Sequence, residues 1–189
     1  PVQLIEKFIY EKREWIAKIQ AKVSARPQAK KKEFIPGEQF LYLGKMYPLT
    51  LSANTKKALV FNTNSFVLQE SKQPKALQMF TTFYKEEARI YLEKRTTELA
   101  EKYGFTFNSI KISSALKRWG SCSAKGNLNF TWRLILAPES IVDYVICHEL
   151  AHLKHHNHSQ RFWNEVSSMY PRWKEARKWL RENEQLLKL

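Results

Sequence analysis

The sequence predicts a protein of the α+β class, with a small, mostly antiparallel sheet, a long helix and several C-terminal helices. Two long segments repeat apolar residues near the 3.6-residue period of a helix, and short segments of alternating apolar and polar residues lie around the second of them. Three further helical patterns close the chain. Strands and helices do not alternate regularly, so the pattern does not indicate a parallel βαβ sheet.

The first predicted element is a helix over residues 2–24, followed by a basic connector. Charged residues separate apolar ones that recur with helical spacing, namely Ile5, Phe8, Ile9, Trp15, Ile16 and Ile19. A proline and three consecutive lysines within residues 26–32 then indicate an exposed connector. We therefore predict two parts, an N-terminal helix with its connector (residues 1–35) and a main domain (residues 36–189).

Two short hairpins follow between residues 38 and 69. The first turns at residues 43–46, and the second turns at residues 62–64, where asparagines favour a turn. Residues 73–103 then predict a long amphipathic helix, which Gly104 ends as a glycine commonly does.

The second half of the chain begins with strands and ends with helices. Residues 109–113 alternate polar and apolar side chains, and residues 127–132 are a second candidate strand. A helix then begins at Pro138, which suits a first helical turn, and runs into a group of histidines. Two last helices are predicted over residues 160–170 and 171–187.

The composition excludes several classes of protein. Of 189 residues, 43% are hydrophobic and 26% are charged, which describes a globular domain rather than a disordered chain. No apolar run approaches the roughly 18 residues of a membrane span, and charged residues interrupt any signal-like start. Two cysteines, Cys122 and Cys147, cannot form a disulfide framework, so we expect a cytoplasmic protein without membrane contact.

All five histidines lie within residues 148–158. Residues 148–152 read His-Glu-Leu-Ala-His inside the predicted helix, where residues four apart share a face and lie about 6 Å apart along the axis. The imidazoles of His148 and His152 can therefore reach one zinc ion. Glu149 is turned about 100° from His148, so it can take a proton from a metal-activated water without binding the metal itself.

A catalytic zinc ion usually has a third protein ligand and one open position for water. We expect His158, because it lies six residues after His152 and the preceding Asn157 favours a chain reversal. Two nearby histidines, His155 and His156, remain open as alternatives. In another class of zinc peptidase the third ligand is a glutamate from a later helix, which here would be Glu165 or Glu175.

Three segments share a pattern with a known family. They read Arg-Trp-Gly-Ser-Cys at residues 118–122, Asp-Tyr-Val-Ile-Cys-His-Glu-Leu-Ala-His at residues 143–152 and Asn-His-Ser-Gln-Arg-Phe-Trp at residues 157–163. Together they resemble the YgjP-like metallopeptidases, and the similarity extends upstream to residues 37–49. These proteins are minigluzincin-type zincins, related to SprT and, more distantly, to the Spartan and Wss DNA-repair proteases.

The resemblance implies a zincin-like metallopeptidase fold and the hydrolysis of peptide bonds in peptide or protein substrates. It also implies one zinc ion per chain, held by His148, His152 and His158, with Glu149 as the general base.

Other residues of these segments have two interpretations each. Gly120 either lets a substrate backbone approach an edge strand or forms a turn, with Trp119 in the core. Cys122 is either an inhibitory ligand of zinc or a small buried hydrophobe. Asp143 either stabilises the start of its helix or orients a histidine, and Tyr170 either stabilises an oxyanion or is structural.

The net charge of +14 favours acidic or anionic partners. Part of it lies on the last predicted helix, at positions with 3–4 spacing: Lys174, Arg177, Lys178 and Arg181. No established DNA-binding motif accompanies this charge. The alternative function is therefore a basic, nucleic-acid-associated protein, either a DNA-linked SprT-like protease or a non-catalytic zinc module. For the metallopeptidase, we expect any contact of the basic surface with nucleic acid to be non-specific. The patterns do not determine the oligomeric state.

Overall fold

The computed structural model describes residues 2–25 and 31–189, and its helices and small sheets confirm the α+β class. The helices of the described residues are α1 (Val2–Ser24), α2 (Ala76–Tyr103), α3 (Glu139–Ala151), α4 (Gln160–Met169) and α5 (Trp173–Asn183). The strands are β1 (Gln39–Tyr42), β2 (Lys45–Ser52), β3 (Leu59–Phe61), β4 (Phe66–Gln69), β5 (Ser109–Ser113), β6 (Gly120–Cys122) and β7 (Asn127–Thr131).

The strands form two sheets, with the orders β1-β2-β4-β3 and β5-β7-β6. Both predicted hairpins are confirmed, because β1 pairs with β2 and β3 with β4 in antiparallel fashion. A parallel pairing of β2 with β4 joins the two hairpins, and β5 also runs parallel to β7. The short strand β6 pairs with β7 alone and forms an edge of the second sheet.

The long helix α2 supplies one wall of the core. Its buried residues recur about every fourth position, as the helical period requires, and are Ala76, Phe80, Tyr84, Ala88, Leu92, Thr96, Leu99 and Ala100. The helix begins at Ala76, after a short 3₁₀ turn that contains Pro74, and not at residue 73. Gly104 ends it with a φ of 70°, a left-handed conformation that glycine adopts without steric cost.

The N-terminal helix α1 lies outside this core, and its apolar residues Phe8 and Trp15 are exposed. Core contacts begin further along the chain, where the ring of Phe34 lies 5.5 Å from the rings of Phe40 and Phe80. Most of the predicted connector, including Lys30, lies outside the described residues. The division of the chain at residue 35 stays a prediction.

The buried helix α3 is held against α2 by a charged pair. The carboxylate of Asp143 accepts hydrogen bonds from Nε and Nη2 of Arg95, at 2.7 and 2.8 Å. A bidentate pair of this kind fixes both position and orientation. Asp143 therefore links two helices and does not orient a histidine.

The last two helices are slightly shorter than predicted. Helix α4 ends at Met169, and α5 begins at Trp173 and ends at Asn183. Ser159 occupies the N-cap position of α4, but its side chain makes no capping hydrogen bond. Among residues 2–25 and 31–189, no helix combines the length and the apolar character that crossing a bilayer requires.

Candidate metal centre

Helix α3 brings His148 and His152 to one face. The helix ends at Ala151, but His152 keeps helical backbone angles (φ −67°, ψ −17°), so the four-residue spacing retains its geometry. The two ring centroids lie 5.0 Å apart.

The turn after α3 brings His158 to the same point. Its Nε2 atom lies 3.1 Å from Nε2 of His148, and one nitrogen from each of the three histidines lies within 4.8 Å of the other two. Within the described ranges, this is the one group of three or more His, Cys, Asp or Glu side chains that could hold a metal ion.

A backbone hydrogen bond orients His152. Its Nδ1 atom lies 2.9 Å from the carbonyl oxygen of His155. A carbonyl oxygen can only accept, so Nδ1 carries the proton and Nε2 keeps its lone pair for a ligand. His155 thus acts on the site through its main chain, a contact that the sequence pattern did not suggest.

The alternative third ligands lie outside the group of three histidines. The ring of His155 lies 3.9 Å from the carboxylate of Glu165, which also pairs with Lys154 at 2.8 Å. His156 is exposed. The remaining alternative, Glu175, forms an ion pair with its helix neighbour Arg172.

The ring of Phe162 packs against all three histidines. This fully buried residue of α4 has its centroid 4.9 Å from His148, 4.5 Å from His152 and 4.7 Å from His158. Contacts of this kind restrict the rotamers of the histidines and prepare their positions for a ligand. Sequence reasoning used Phe162 only as part of a family pattern and did not predict this role.

Burial favours the neutral form of His148 and His158, which is the form that binds a metal. Burial is the main reason that the pKa of His148 falls to about 3, and the neighbouring His152, His158 and Arg177 lower it further. Burial and the charges of His152 and Arg177 also lower the pKa of His158.

Glu149 lies beside the histidines and beneath strand β6. It is 4% exposed, and burial raises the pKa of its carboxyl group to about 8, while the positive charge of Arg118 opposes that shift. Its Oε2 atom has no hydrogen-bond partner among the described residues. Glu149 and His148 both line a cavity of about 370 Å³.

Cys122, Cys147 and Tyr170 all pack in or against the hydrophobic core. Burial, and secondarily the charge of Glu149, raises the pKa of Cys122, so this residue stays a thiol, and its Sγ donates a hydrogen bond to the carbonyl oxygen of Ser123. Burial raises the pKa of Cys147 to about 12. Tyr170 packs on the ring of Tyr144, and the Tyr144 ring in turn lies 6.0 Å from that of His148.

Two solved structures resemble this chain over about half of its length. The metallopeptidase zymogen abylysin of Pyrococcus abyssi is 26% identical, with a TM-score of 0.44, and the match covers 47% of this chain and 90% of that one. The metallopeptidase zymogen jannalysin of Methanocaldococcus jannaschii is 20% identical, with a TM-score of 0.44, and the match covers 49% of this chain and 95% of that one. A comparison with curated proteins finds no match.

A family comparison covers almost the whole chain. The model of the YgjP-like metallopeptidase domain matches residues 1–183, a range that includes the three histidines and Glu149. The resemblance noted in the sequence is thereby confirmed. A three-histidine group able to hold a metal ion is what a zinc peptidase requires. The chain therefore belongs to the YgjP-like metallopeptidase family and is a zinc metallopeptidase that acts on peptide or protein substrates.

Proposed function

We propose that His148, His152 and His158 hold the catalytic zinc ion and that Glu149 is the general base. The convergence of the three imidazoles carries this proposal. Two nitrogens bound to one tetrahedral zinc ion at 2.0–2.1 Å are roughly 3.3 Å apart, close to the 3.1 Å between Nε2 of His148 and Nε2 of His158. Three neutral imidazoles leave the fourth position open for water, which is typical of a catalytic zinc site.

Glu149 is suited to accept a proton. Bound zinc supplies a Lewis acid, which lowers the pKa of water towards about 7 and polarises the scissile carbonyl group. Glu149 takes the proton from the attacking water and passes it to the leaving amine. Its Oε2 atom has no competing partner among the described residues, and its buried position raises its pKa, which strengthens it as a base.

We further propose that the substrate adds as an extended strand along β6. This strand pairs with β7 on one side only, and it packs against α3, which carries His148 and Glu149. An unpaired strand edge offers main-chain donors and acceptors to a peptide of many sequences. The peptide backbone would then run past Glu149.

The experiment is metal analysis combined with a peptidase assay. We expect about one zinc ion per purified chain, hydrolysis of an unstructured protein such as casein, loss of activity with a chelator and recovery with zinc. A folded protein that does not take up zinc would contradict the ligand assignment. Zinc at one equivalent with no hydrolysis of any peptide would favour a structural zinc site.

We also propose a cytoplasmic location and, as a secondary property, non-specific contact with nucleic acid. Both cysteines are free thiols, which fits a reducing compartment. The net charge of +14 supports attraction to phosphates. Affinity for duplex DNA should be independent of its sequence and should largely disappear between 50 mM and about 200 mM salt. Binding that survives this change and depends on sequence would favour the nucleic-acid alternative instead.

A further inference from the structure

The cavity beside Glu149 is lined by three arginines from two separate parts of the chain. Arg118 lies just before β6, and Arg177 and Arg181 lie one turn apart on α5. The opposite charges on its wall are Glu149 itself and Glu184. Three guanidinium groups against two carboxyl groups give this wall a net positive charge, which is continuous with the proposed catalytic residues.

These arginines, like several others in the chain, have no carboxylate partner among the described residues. Arg95 pairs with Asp143 and Glu98, whereas within the described residues no salt bridge involves Arg118, Arg177 or Arg181. Three like charges that line one cavity without carboxylate partners are electrostatically unfavourable. An anionic ligand bound in the cavity would offset these like charges.

One of the arginines is also held close to the metal centre. The guanidinium group of Arg177 lies over the ring of Trp163, 5.4 Å from its centroid, and the Trp163 ring stacks at 5.7 Å from that of His158. Trp163 in turn stacks on Trp173 of the same helix as Arg177, with centroids 4.2 Å apart. A charge supported by aromatic stacking is positioned and not freely mobile.

The rest of the cavity wall is apolar. Tyr144 and Leu180 are buried and lie among the lining residues. An apolar wall weakens the screening by water, so that a carboxylate bound to arginine gains more here than on an open surface. The planar guanidinium group matches the two oxygens of a carboxylate.

We propose that this cavity is a substrate subsite for a peptide carboxylate, so that the enzyme prefers acidic peptides. The carboxylate belongs either to an Asp or Glu side chain near the scissile bond or to the C-terminus of a short peptide. The inference rests on the proposed catalytic role of Glu149, which lines the same cavity. That shared wall favours a peptide over a nucleic acid as the occupant.

The test uses zinc-loaded protein and peptides matched in all but charge. A peptide with Glu on both sides of the cleaved bond is compared with its Gln counterpart, each with a free and an amidated C-terminus. We expect kcat/KM to be roughly ten- to hundredfold higher for the charged peptide, the scale of a hydrogen bond to a charged group. The advantage should shrink as salt rises. If amidation of the C-terminus lowers kcat/KM, the C-terminal carboxylate is the ligand, and if replacement of Glu by Gln lowers it, the side-chain carboxylate is.

Two variants locate the effect. Arg181→Met and Arg177→Met should each reduce the preference for the charged peptide, mainly through KM. Lys178→Met is the matched control, because Lys178 lies between them on α5 but does not line the cavity, and the preference should stay unchanged. Equal loss in all three variants would indicate a general effect of net charge and would overturn the subsite.

A binding measurement separates this inference from the proposed function. Calorimetric titration of the charged and uncharged peptides into zinc-loaded Glu149→Gln protein reports affinity without turnover. Equal affinities and equal kcat/KM for all four peptides, Glu or Gln with a free or an amidated C-terminus, would overturn the subsite and leave the metallopeptidase assignment intact. Preferential binding without any hydrolysis by the wild-type enzyme would support the subsite and contradict the catalytic role of Glu149. Displacement of the acidic peptide by a short single-stranded DNA, without discrimination between Glu and Gln peptides, would identify a nucleic-acid site instead.

Discussion

The α-carbon of Gly120 lies directly against the side chain of Glu149. A β-carbon at position 120 would stand 2.6 Å from Oε1, 2.7 Å from Cγ and 2.8 Å from Cδ of Glu149. Contacts this short do not occur between real side chains, so β6 can approach α3 this closely only because residue 120 is glycine. In this way strand β6 and the side chain of Glu149, the proposed general base, define each other's position.

Replacement of Gly120 by alanine should therefore displace Glu149. We expect kcat to fall by roughly ten- to hundredfold while zinc content is unchanged, because a shift of about 1 Å in a reacting group can cost a hundredfold. Steady-state kinetics and metal analysis measure the two effects. Gly37→Ala is the control, because its methyl group would meet no atom within 4 Å but its φ of 84° is strained for alanine. That variant should lose stability and keep its kcat.

Replacement of Glu149 by glutamine removes the proton acceptor and keeps the size of the side chain. Hydrolysis should fall by roughly a hundredfold or more, the scale of a positioned general base. Zinc content should stay at the wild-type level, since the carboxylate is not proposed as a ligand. A glutamine variant that cleaves peptides as fast as the wild type would show that the base lies elsewhere.

The stability of the metal-free protein should depend on pH through Glu149. Its pKa rises from an ordinary 4.5 to about 8, so between these values the folded state keeps a proton that the unfolded state has released. The free energy of unfolding should therefore decrease as pH rises, by up to ~1.4 kcal/mol per pH unit from this group.

The Glu149→Gln variant lacks this dependence and provides the comparison. Thermal unfolding in a chelator at pH 6.5, 7.25 and 8 should show a Tm advantage of the variant that increases with pH. Above pH 6.5 His148 adds little, because its pKa of about 3 in the folded state and its ordinary value of 6.5 both lie at or below this range. A constant difference between the two proteins would mean that Glu149 is not protonated in the folded, metal-free state.

The third ligand can be tested one histidine at a time. His158→Ala should weaken zinc binding by roughly two orders of magnitude or more, because it removes one of three protein ligands. His156→Ala should leave affinity unchanged, since this side chain is exposed and is not part of the cluster. His155→Ala should also have little effect, because the carbonyl group that orients His152 remains. Competition with a fluorescent zinc chelator measures all three, and a loss confined to His155→Ala or His156→Ala would reassign the ligand.

Much of the fold followed from local patterns. The helical period identified α1, α2 and α3, Gly104 marked the end of α2, and the two hairpins were recognised from their turns. The parallel pairing of β2 with β4 was not predicted, because the register between strands from different hairpins depends on how both pack against α2.

By itself, the sequence identified the metallopeptidase class of this protein. A spacing of four residues places His148 and His152 on one helix face, with Glu149 between them, because the geometry of an α-helix is the same wherever it occurs. Only the tertiary structure decided what surrounds that motif: Gly120 against Glu149, Phe162 against the three imidazoles and the carbonyl group of His155 against His152. It also brought Arg118 and α5 to one cavity. These contacts join different segments and turns of the chain. The periodicity of a single segment does not predict how such parts pack together.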